Sequence, residues 1–239
     1  MKSLVFQHIA VEHPGIFRDF LAKDGIQWDA IELDEGVAIP SLDGYDALWV
    51  MGGPMDVWQE DEHPWLVTEK AVIREAVTHW GMPFLGVCLG HQLLADALGG
   101  RVAPMHNPEV GILDIELTAK GIADPLLAGL PSTGKCLQWH STEVAEPPPG
   151  AEVLARSPGS NVRALRVGSA AYSLQYHVEL TATTVSEWGK IPAYEQALAR
   201  TLGSGALQRL QAEAARHMND FNRDARQLYG NFFDLLRRH

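Results

Sequence analysis

The chain has 239 residues, of which 46% are hydrophobic and 21% charged, with a formal net charge of −11. These values are ordinary for a globular protein with a substantial core. The negative charge argues against nucleic acid as the main partner, because phosphate binding needs a basic surface. No stretch approaches about 18 consecutive apolar residues, so no membrane-spanning helix is predicted. With only Cys88 and Cys136, neither a disulfide framework nor a C-x-x-C metal site is expected.

A strand is predicted at the start of the chain. Leu4-Val5-Phe6 is a short apolar run that His8 interrupts, so it is too short for the core of a signal peptide. A cytoplasmic protein is therefore expected.

Strand and helix signals then alternate through the first hundred residues. The predicted elements are a helix near 16–22, strands at 28–33 and 47–51, a helix near 64–80, a strand at 84–88, and a helix closed by Gly99-Gly100. Alternation of this kind predicts an α/β fold of three layers, with a mostly parallel central sheet flanked by helices. Ligands of such sheets bind at the carboxyl ends of the strands.

The pattern changes to short strands between about residues 101 and 177. The predicted strands are 101–102, 111–117, 135–139, 152–155, 163–167 and 171–176. Turn residues such as those at 147–150 separate them, which indicates a mixed or antiparallel extension of the same sheet. We therefore predict a single domain over 1–239, with a core of about 1–190 and a helical segment of about 191–239.

The tail from about Ser204 has apolar residues every three or four positions, which is typical of an amphipathic helix. The stripe consists of Leu207, Leu210, Ala214, Met218, Phe221, Ala225, Leu228, Phe232 and Leu235. Gly230 is a candidate break between two helices. The stripe either packs on the sheet, which we favour, or forms a docking surface for a partner protein.

The most informative segment is Gly86-Val87-Cys88-Leu89-Gly90, where an apolar strand runs directly into a helical pattern. Such a strand–turn–helix arrangement lifts a nucleophile above the sheet, and glycines beside it relieve backbone crowding. The helix that follows directs its positive end at the sulfur and favours the thiolate. Cys88 is therefore the candidate nucleophile. Cys136 is expected to be a buried strand thiol, and His91 is expected to contribute only to packing.

A second segment supplies a base for that cysteine. Residues 170–180 form a strand-like run that ends in His177-Val178-Glu179. Residues i and i+2 of a strand face the same side, so Glu179 can orient the His177 imidazole. A cysteine nucleophile needs such a base at neutral pH. Backbone N–H groups of Gly53 and Leu89 are in turn candidates for an oxyanion hole.

At these residues the chain resembles the class I glutamine amidotransferases, especially the branch similar to the amidotransferase part of GMP synthase. The matching segments are 86–92, 175–179, the glycine-rich loop 49–55 and, in part, the strand end 138–141. The resemblance implies a Cys88–His177–Glu179 triad and an oxyanion hole built with loop 49–55. It also implies substrate contacts from Gly52, Gln92, His140 and Ser141.

Two positions depart from the family pattern. Val178 stands where the family often has proline, a change that a strand tolerates well. Thr142 stands where the family often has an acidic residue, which leaves open how the α-amino group of the substrate is recognised.

The resemblance implies hydrolysis of glutamine to glutamate and ammonia through a γ-glutamyl thioester, with no metal or organic cofactor. No GxxxxGK[ST] loop is present, and we expect no room for a synthetase domain, so ammonia would pass to a separate synthetase protein. The alternatives are a γ-glutamyl peptide or conjugate hydrolase and, in another class, a catalytically silent regulatory or binding module. The oligomeric state stays open.

Overall fold

The computed structural model describes residues 1–238. Its strands are β1 Lys2–Gln7, β2 Gln27–Glu32, β3 Ala47–Val50, β4 Phe84–Val87, β5 Arg101–Leu117, β6 Thr133–Glu146, β7 Glu152–Ser157, β8 Ser160–Val167 and β9 Ala171–Leu174. Its helices are α1 Phe17–Asp24, α2 Trp65–Thr78, α3 Leu89–Ala97, α4 Ala119–Ala123, α5 Thr184–Trp188, α6 Pro192–Leu202 and α7 Ala206–Leu236. No helix within 1–238 is both long enough and apolar enough to cross a membrane.

All nine strands belong to one sheet, in the order β2-β1-β3-β4-β9-β8-β7-β5-β6. The first five strands of that order pair in parallel, and the remaining pairs are antiparallel. The predicted α/β fold, with a parallel half and an antiparallel extension, is confirmed. Because β3, β4 and β9 are adjacent and parallel, their carboxyl ends meet at one edge, where a ligand site is expected.

The two faces of the parallel half are covered by different helices. Leu4, Phe6 and Val50 point towards α2 and α3. The intervening Val5 and Trp49 point the other way, towards α1 and the C-terminal part of α7. Alternation of side chains along each strand thus builds two apolar layers from the same strands, which gives the predicted three-layer architecture.

The antiparallel extension differs from its prediction in strand length. β5 and β6 form one long ladder, whereas the sequence indicated several short strands. No predicted strand covered the segment from Pro104 to Glu109, and the ladder accommodates it with a shift of register. Proline is tolerated in a sheet at such irregularities, because it removes a donor where the ladder is already broken.

The predicted break at Gly230 is wrong, because α7 runs without interruption through this position. Aromatic residues on both sides, Tyr229, Phe232 and Phe233, are buried in the core. Their burial outweighs the roughly 1 kcal/mol that glycine costs inside a helix. The apolar stripe of the tail is likewise covered, since Leu210, Phe221 and Leu228 along its length are buried. The packing interpretation of the stripe therefore holds, and the docking interpretation does not.

Candidate active site

Cys88 occupies a sharp turn between β4 and α3. Its backbone has φ 53° and ψ −103°, and within residues 1–238 it is the one non-glycine residue with positive φ. Its N–H donates to the carbonyl of Leu174 at 2.8 Å, which ties the turn to β9. Such a backbone costs on the order of 1–3 kcal/mol and is retained mainly at functional sites.

Two glycines make this turn possible. A Cβ on Gly90 would lie 2.0 Å from the carbonyl oxygen of Val50, and one on Gly86 would lie 2.5 Å from the carbonyl oxygen of Gly90. The backbone of β3 and the backbone of the turn are therefore in direct contact. The spacing of glycines in the sequence correctly predicted this crowding.

His177 and Glu179 lie beside the turn as a buried pair. The imidazole Nδ1 is 2.7 Å from Glu179 Oε1, and the N–H of Val178 donates to Glu179 Oε2 at 2.9 Å. β9 ends at Leu174, so the pair does not sit on a regular strand as predicted. The N–H of His177 instead donates to the carbonyl of Leu137 in β6 at 3.0 Å, and this bridge holds the segment in an extended form.

The surroundings of His177 favour its protonated form. Burial is the largest influence and by itself lowers the pKa, but the charges of Glu179 and Cys88 and hydrogen bonds to both hold the pKa of His177 well above its usual range. The Trp188 ring meets the imidazole edge-on, with 4.4 Å between ring centroids. The arrangement thus suits a thiolate–imidazolium pair with a carboxylate behind the cation.

The proposed oxyanion-hole residues face a common pocket. Gly53 and Leu89 both line it together with Cys88. Leu89 opens α3, so its N–H has no acceptor within the helix. Gly52, which was predicted to contact substrate, is not among the lining residues of this pocket, and its carbonyl accepts a hydrogen bond from His8 Nδ1 at 2.8 Å.

The other predicted substrate-binding residues, Gln92, His140 and Ser141, all line the pocket. Two of them are held by the protein itself. Gln92 Nε2 donates to the carbonyl of Thr142 at 3.1 Å, and both ring nitrogens of His140 have polar partners within 3.0 Å. Burial is the largest influence on the pKa of His140 and lowers it; the charge of Arg163 acts in the same direction, and Glu109 opposes both. His140 therefore presents a fixed ring to the pocket.

Several lining residues were not found by sequence reasoning. They are Asp56, Ala193, Tyr194 and Ala197, whereas the further lining residues Pro54, Met55, Trp139 and Thr142 lie in or beside the segments that carried the resemblance. Three of these come from α6 or its start, more than 100 positions after Cys88, so no local pattern could connect them to the turn. Gln175 was also missed as an individual contact, and its Nε2 lies 3.7 Å from Cys88 Sγ.

A second buried carboxyl group, Glu12, was not predicted either. Tyr194 Oη donates to Glu12 Oε1 at 2.5 Å, and Glu12 Oε2 has no hydrogen-bond partner among residues 1–238. Donor atoms of Glu12, His177 and Glu179 all lie within 4.8 Å of one another, a spacing that a shared proton or a cation could use. Burial is the main cause that raises the pKa of Glu12 to about 7. His177, Tyr194 and His8 oppose the rise, and Glu179 adds to it.

This carboxyl group makes the stability of the fold depend on pH. Because the folded pKa of about 7 exceeds the ordinary value of 4.5, wild type loses stability as pH rises through this window.

The substitution Glu12→Gln tests this dependence, because it removes the titration and keeps an acceptor for Tyr194. The free energy of unfolding of the variant minus that of wild type should therefore be about 2–3 kcal/mol more positive at pH 8 than at pH 5. Urea denaturation at both pH values measures this, with exposed Glu35→Gln as control. An equal difference at both pH values would contradict the assignment.

The two residues expected to be structural are buried in packing positions. His91 Nδ1 lies 2.9 Å from Ser173 Oγ, and burial lowers the pKa of His91 to about 3, so this imidazole stays neutral. Cys136 lies in β6, and burial raises the pKa of its thiol, as is typical of an unreactive core cysteine.

Comparisons with known proteins identify the family of the chain. Residues 19–187 match the family model "Glutamine amidotransferase class-I", and the chain belongs to the class I glutamine amidotransferase family. It is 30% identical over 174 residues to one subunit of the glutamine-hydrolysing GMP synthase of Sulfolobus acidocaldarius, covering 71% of this chain and 87% of the relative. The solved structure of a glutamine amidotransferase from Thermotoga maritima is 25% identical, covers 97% of both chains and superposes with a TM-score of 0.87.

A further relative is much longer than this chain. The GMP synthase of Aeropyrum pernix is 39% identical over 150 residues, which is 62% of this chain but 26% of the relative. The chain thus spans about a quarter of that enzyme. The family and fold identify the protein as a glutamine amidotransferase enzyme.

Proposed function

We propose that this protein hydrolyses the side-chain amide of glutamine to glutamate and ammonia with a Cys88–His177–Glu179 triad. The observation that carries the proposal is the strained turn at Cys88, with a buried imidazole–carboxylate pair beside it and a pocket in front. Membership of the family supports the same chemistry.

In the first half of the reaction, the Cys88 thiolate attacks the amide carbon and the carbonyl π electrons move onto oxygen. The N–H groups of Gly53 and Leu89 stabilise the oxyanion that forms. When the carbonyl re-forms, the C–N bond breaks, and the leaving nitrogen takes a proton from the His177 imidazolium. Ammonia departs, and a γ-glutamyl thioester remains on Cys88.

In the second half, water attacks the thioester carbon and gives a proton to the now neutral His177. The second tetrahedral intermediate collapses by breaking the C–S bond, which releases glutamate and regenerates the thiolate. Glu179 transfers no proton; it orients the imidazole and stabilises its cation. The triad returns to its starting protonation state after each turnover.

We further propose that the ammonia passes to a separate synthetase subunit. The name of the Sulfolobus relative describes one subunit of a GMP synthase, and that likeness supports a similar division of labour here. Binding of the second substrate to such a partner commonly completes an active site by closure. Isolated protein is therefore expected to hydrolyse free glutamine slowly, and its partner to accelerate the reaction.

Substrate profiling of the purified protein tests this function. Ammonia and glutamate are measured with L-glutamine and with γ-glutamyl dipeptides, alone and with cell extract. Slow release of equal amounts of both products from glutamine, stimulated by extract, is the expected result. Cleavage of γ-glutamyl peptides at least about tenfold faster without a partner (about 1.4 kcal/mol of the barrier) would assign a peptide hydrolase instead. No product from either substrate would assign a silent binding module.

A further inference from the structure

The pocket in front of Cys88 has an uneven distribution of charge. Asp56 is the one carboxylate among its lining residues, and no lysine or arginine lines it. Glutamine carries an α-ammonium group at the end opposite its amide. A cation in this pocket can therefore meet one negative side chain, and that side chain lies on the loop that follows the glycines of the proposed oxyanion hole.

Asp56 is held in place by hydrogen bonds of its side chain and of its backbone. Thr142 Oγ1 donates to Asp56 Oδ1 at 2.6 Å, which bridges the segment after the glycine-rich loop and β6. The Asp56 N–H donates to Gln59 Oε1 at 2.7 Å, and the neighbouring residues Met55 and Val57 are buried. The carboxylate is thus fixed before any ligand arrives, which reduces the entropy that binding would cost.

The carboxylate nevertheless has unused bonding capacity. Among residues 1–238, Asp56 takes part in no ion pair, and its Oδ2 has no hydrogen-bond partner. An ionised carboxylate can accept from several donors, and bonds to an ammonium group are about twice as strong as neutral ones. An ammonium ligand would supply the partner that the protein does not.

We propose that Asp56, oriented by Thr142, binds the α-ammonium group of the substrate and so determines specificity for α-amino acids. The inference rests on the proposed function, since it assigns the remote end of the same substrate. It also explains the threonine at position 142 of β6: its hydroxyl serves as a donor to an acid on the opposite wall. The negative charge is supplied from loop 51–60.

The test compares two ligands that differ by one group: L-glutamine and 4-carbamoylbutanoate, which is glutamine without its α-amino group. Calorimetry on the inactive Cys88→Ala protein measures binding independently of turnover. Adding Asp56→Asn should weaken glutamine binding by about 10- to 100-fold, the range expected for one bond to a charged group. Binding of 4-carbamoylbutanoate should change by less than about twofold. Asp61→Asn, which alters an exposed acid five positions further along the chain, should change neither.

Steady-state kinetics of the otherwise wild-type enzyme provide an independent readout. Asp56→Asn should raise KM for glutamine by a similar factor, with kcat altered by less than about threefold, because the interaction is made equally in ground and transition states. Thr142→Val removes only the orienting donor and should raise KM a few-fold. The double substitution Asp56→Asn with Thr142→Asp moves the carboxylate across the 2.6 Å contact and should recover much of the affinity.

Two results would overturn the assignment. One is equal loss of affinity for both ligands in Asp56→Asn, which would indicate a general packing defect. The other is unchanged glutamine binding. Failure of the proposed function is distinguishable, because it appears as absent turnover in wild type while the calorimetric comparison in the Cys88→Ala protein still decides the role of Asp56.

Discussion

Cys88→Ala is expected to reduce ammonia release from glutamine by at least about 10⁴-fold, because Cys88 is the one thiol that lines the pocket and can form the γ-glutamyl thioester. The fold should survive. The turn is built from the backbone contacts of Gly86 and Gly90 and from the hydrogen bond to Leu174, none of which uses the thiol. Ammonia assays and thermal denaturation on the same preparation separate loss of activity from loss of structure.

Cys136→Ser is the matched control for that experiment. Its thiol lies in β6 with a pKa raised by burial, so the variant should keep most of its activity. A chloroketone analogue of glutamine provides a second check, since it should alkylate Cys88 and spare Cys136. Labelling of Cys136 alone, or turnover by Cys88→Ala comparable with wild type, would show that the nucleophile has been assigned wrongly.

The part of the site that sequence reasoning located well is the part encoded locally. Gly86, Cys88 and Gly90 stand within five consecutive residues, and the physical need for glycine at both flanks is set by contacts at that turn. Strand and helix periodicity on either side then fixes where the turn sits in the sheet. The parallel half of the fold followed from the same alternation, and it was confirmed by the observed pairing.

His177 and Glu179 lie side by side, as predicted, but the predicted reason for their alignment was incomplete. A strand was predicted to align them, but β9 ends at Leu174. Their alignment depends on a bridge to Leu137, a residue 40 positions away. The two-residue alternation of a strand identifies residues that face the same side. It does not show which neighbouring segment keeps the chain extended.

The pocket wall could not be predicted because it is made by contacts between distant segments. Tyr194 reaches the site only through α6, and the Thr142–Asp56 hydrogen bond joins residues 86 positions apart. Neither residue belongs to a repeating pattern. Single-turn helices such as α4 and α5 escape detection for a related reason, because five residues contain too few repeats of the helical period.

The second large effect is expected at the base. His177→Asn should lower kcat for glutamine hydrolysis by about 10³-fold or more, because proton delivery to the leaving ammonia and activation of water would both be lost. Glu179→Gln should cost less, about 10- to 100-fold, since the amide can still accept a hydrogen bond from His177 Nδ1 but no longer balances the imidazolium charge.

The pH dependence distinguishes the role of Glu179 from simple packing. Its charge helps to hold the pKa of His177 above the usual range, so removing that charge lowers this pKa. Activity of a thiolate–imidazolium pair falls on the alkaline side when the imidazolium loses its proton. The alkaline limb of kcat/KM should therefore move to lower pH in Glu179→Gln. Rate profiles from pH 5 to 10 measure the shift. An alkaline limb that does not move in Glu179→Gln would refute the triad. A His177→Asn variant as active as wild type would refute it as well.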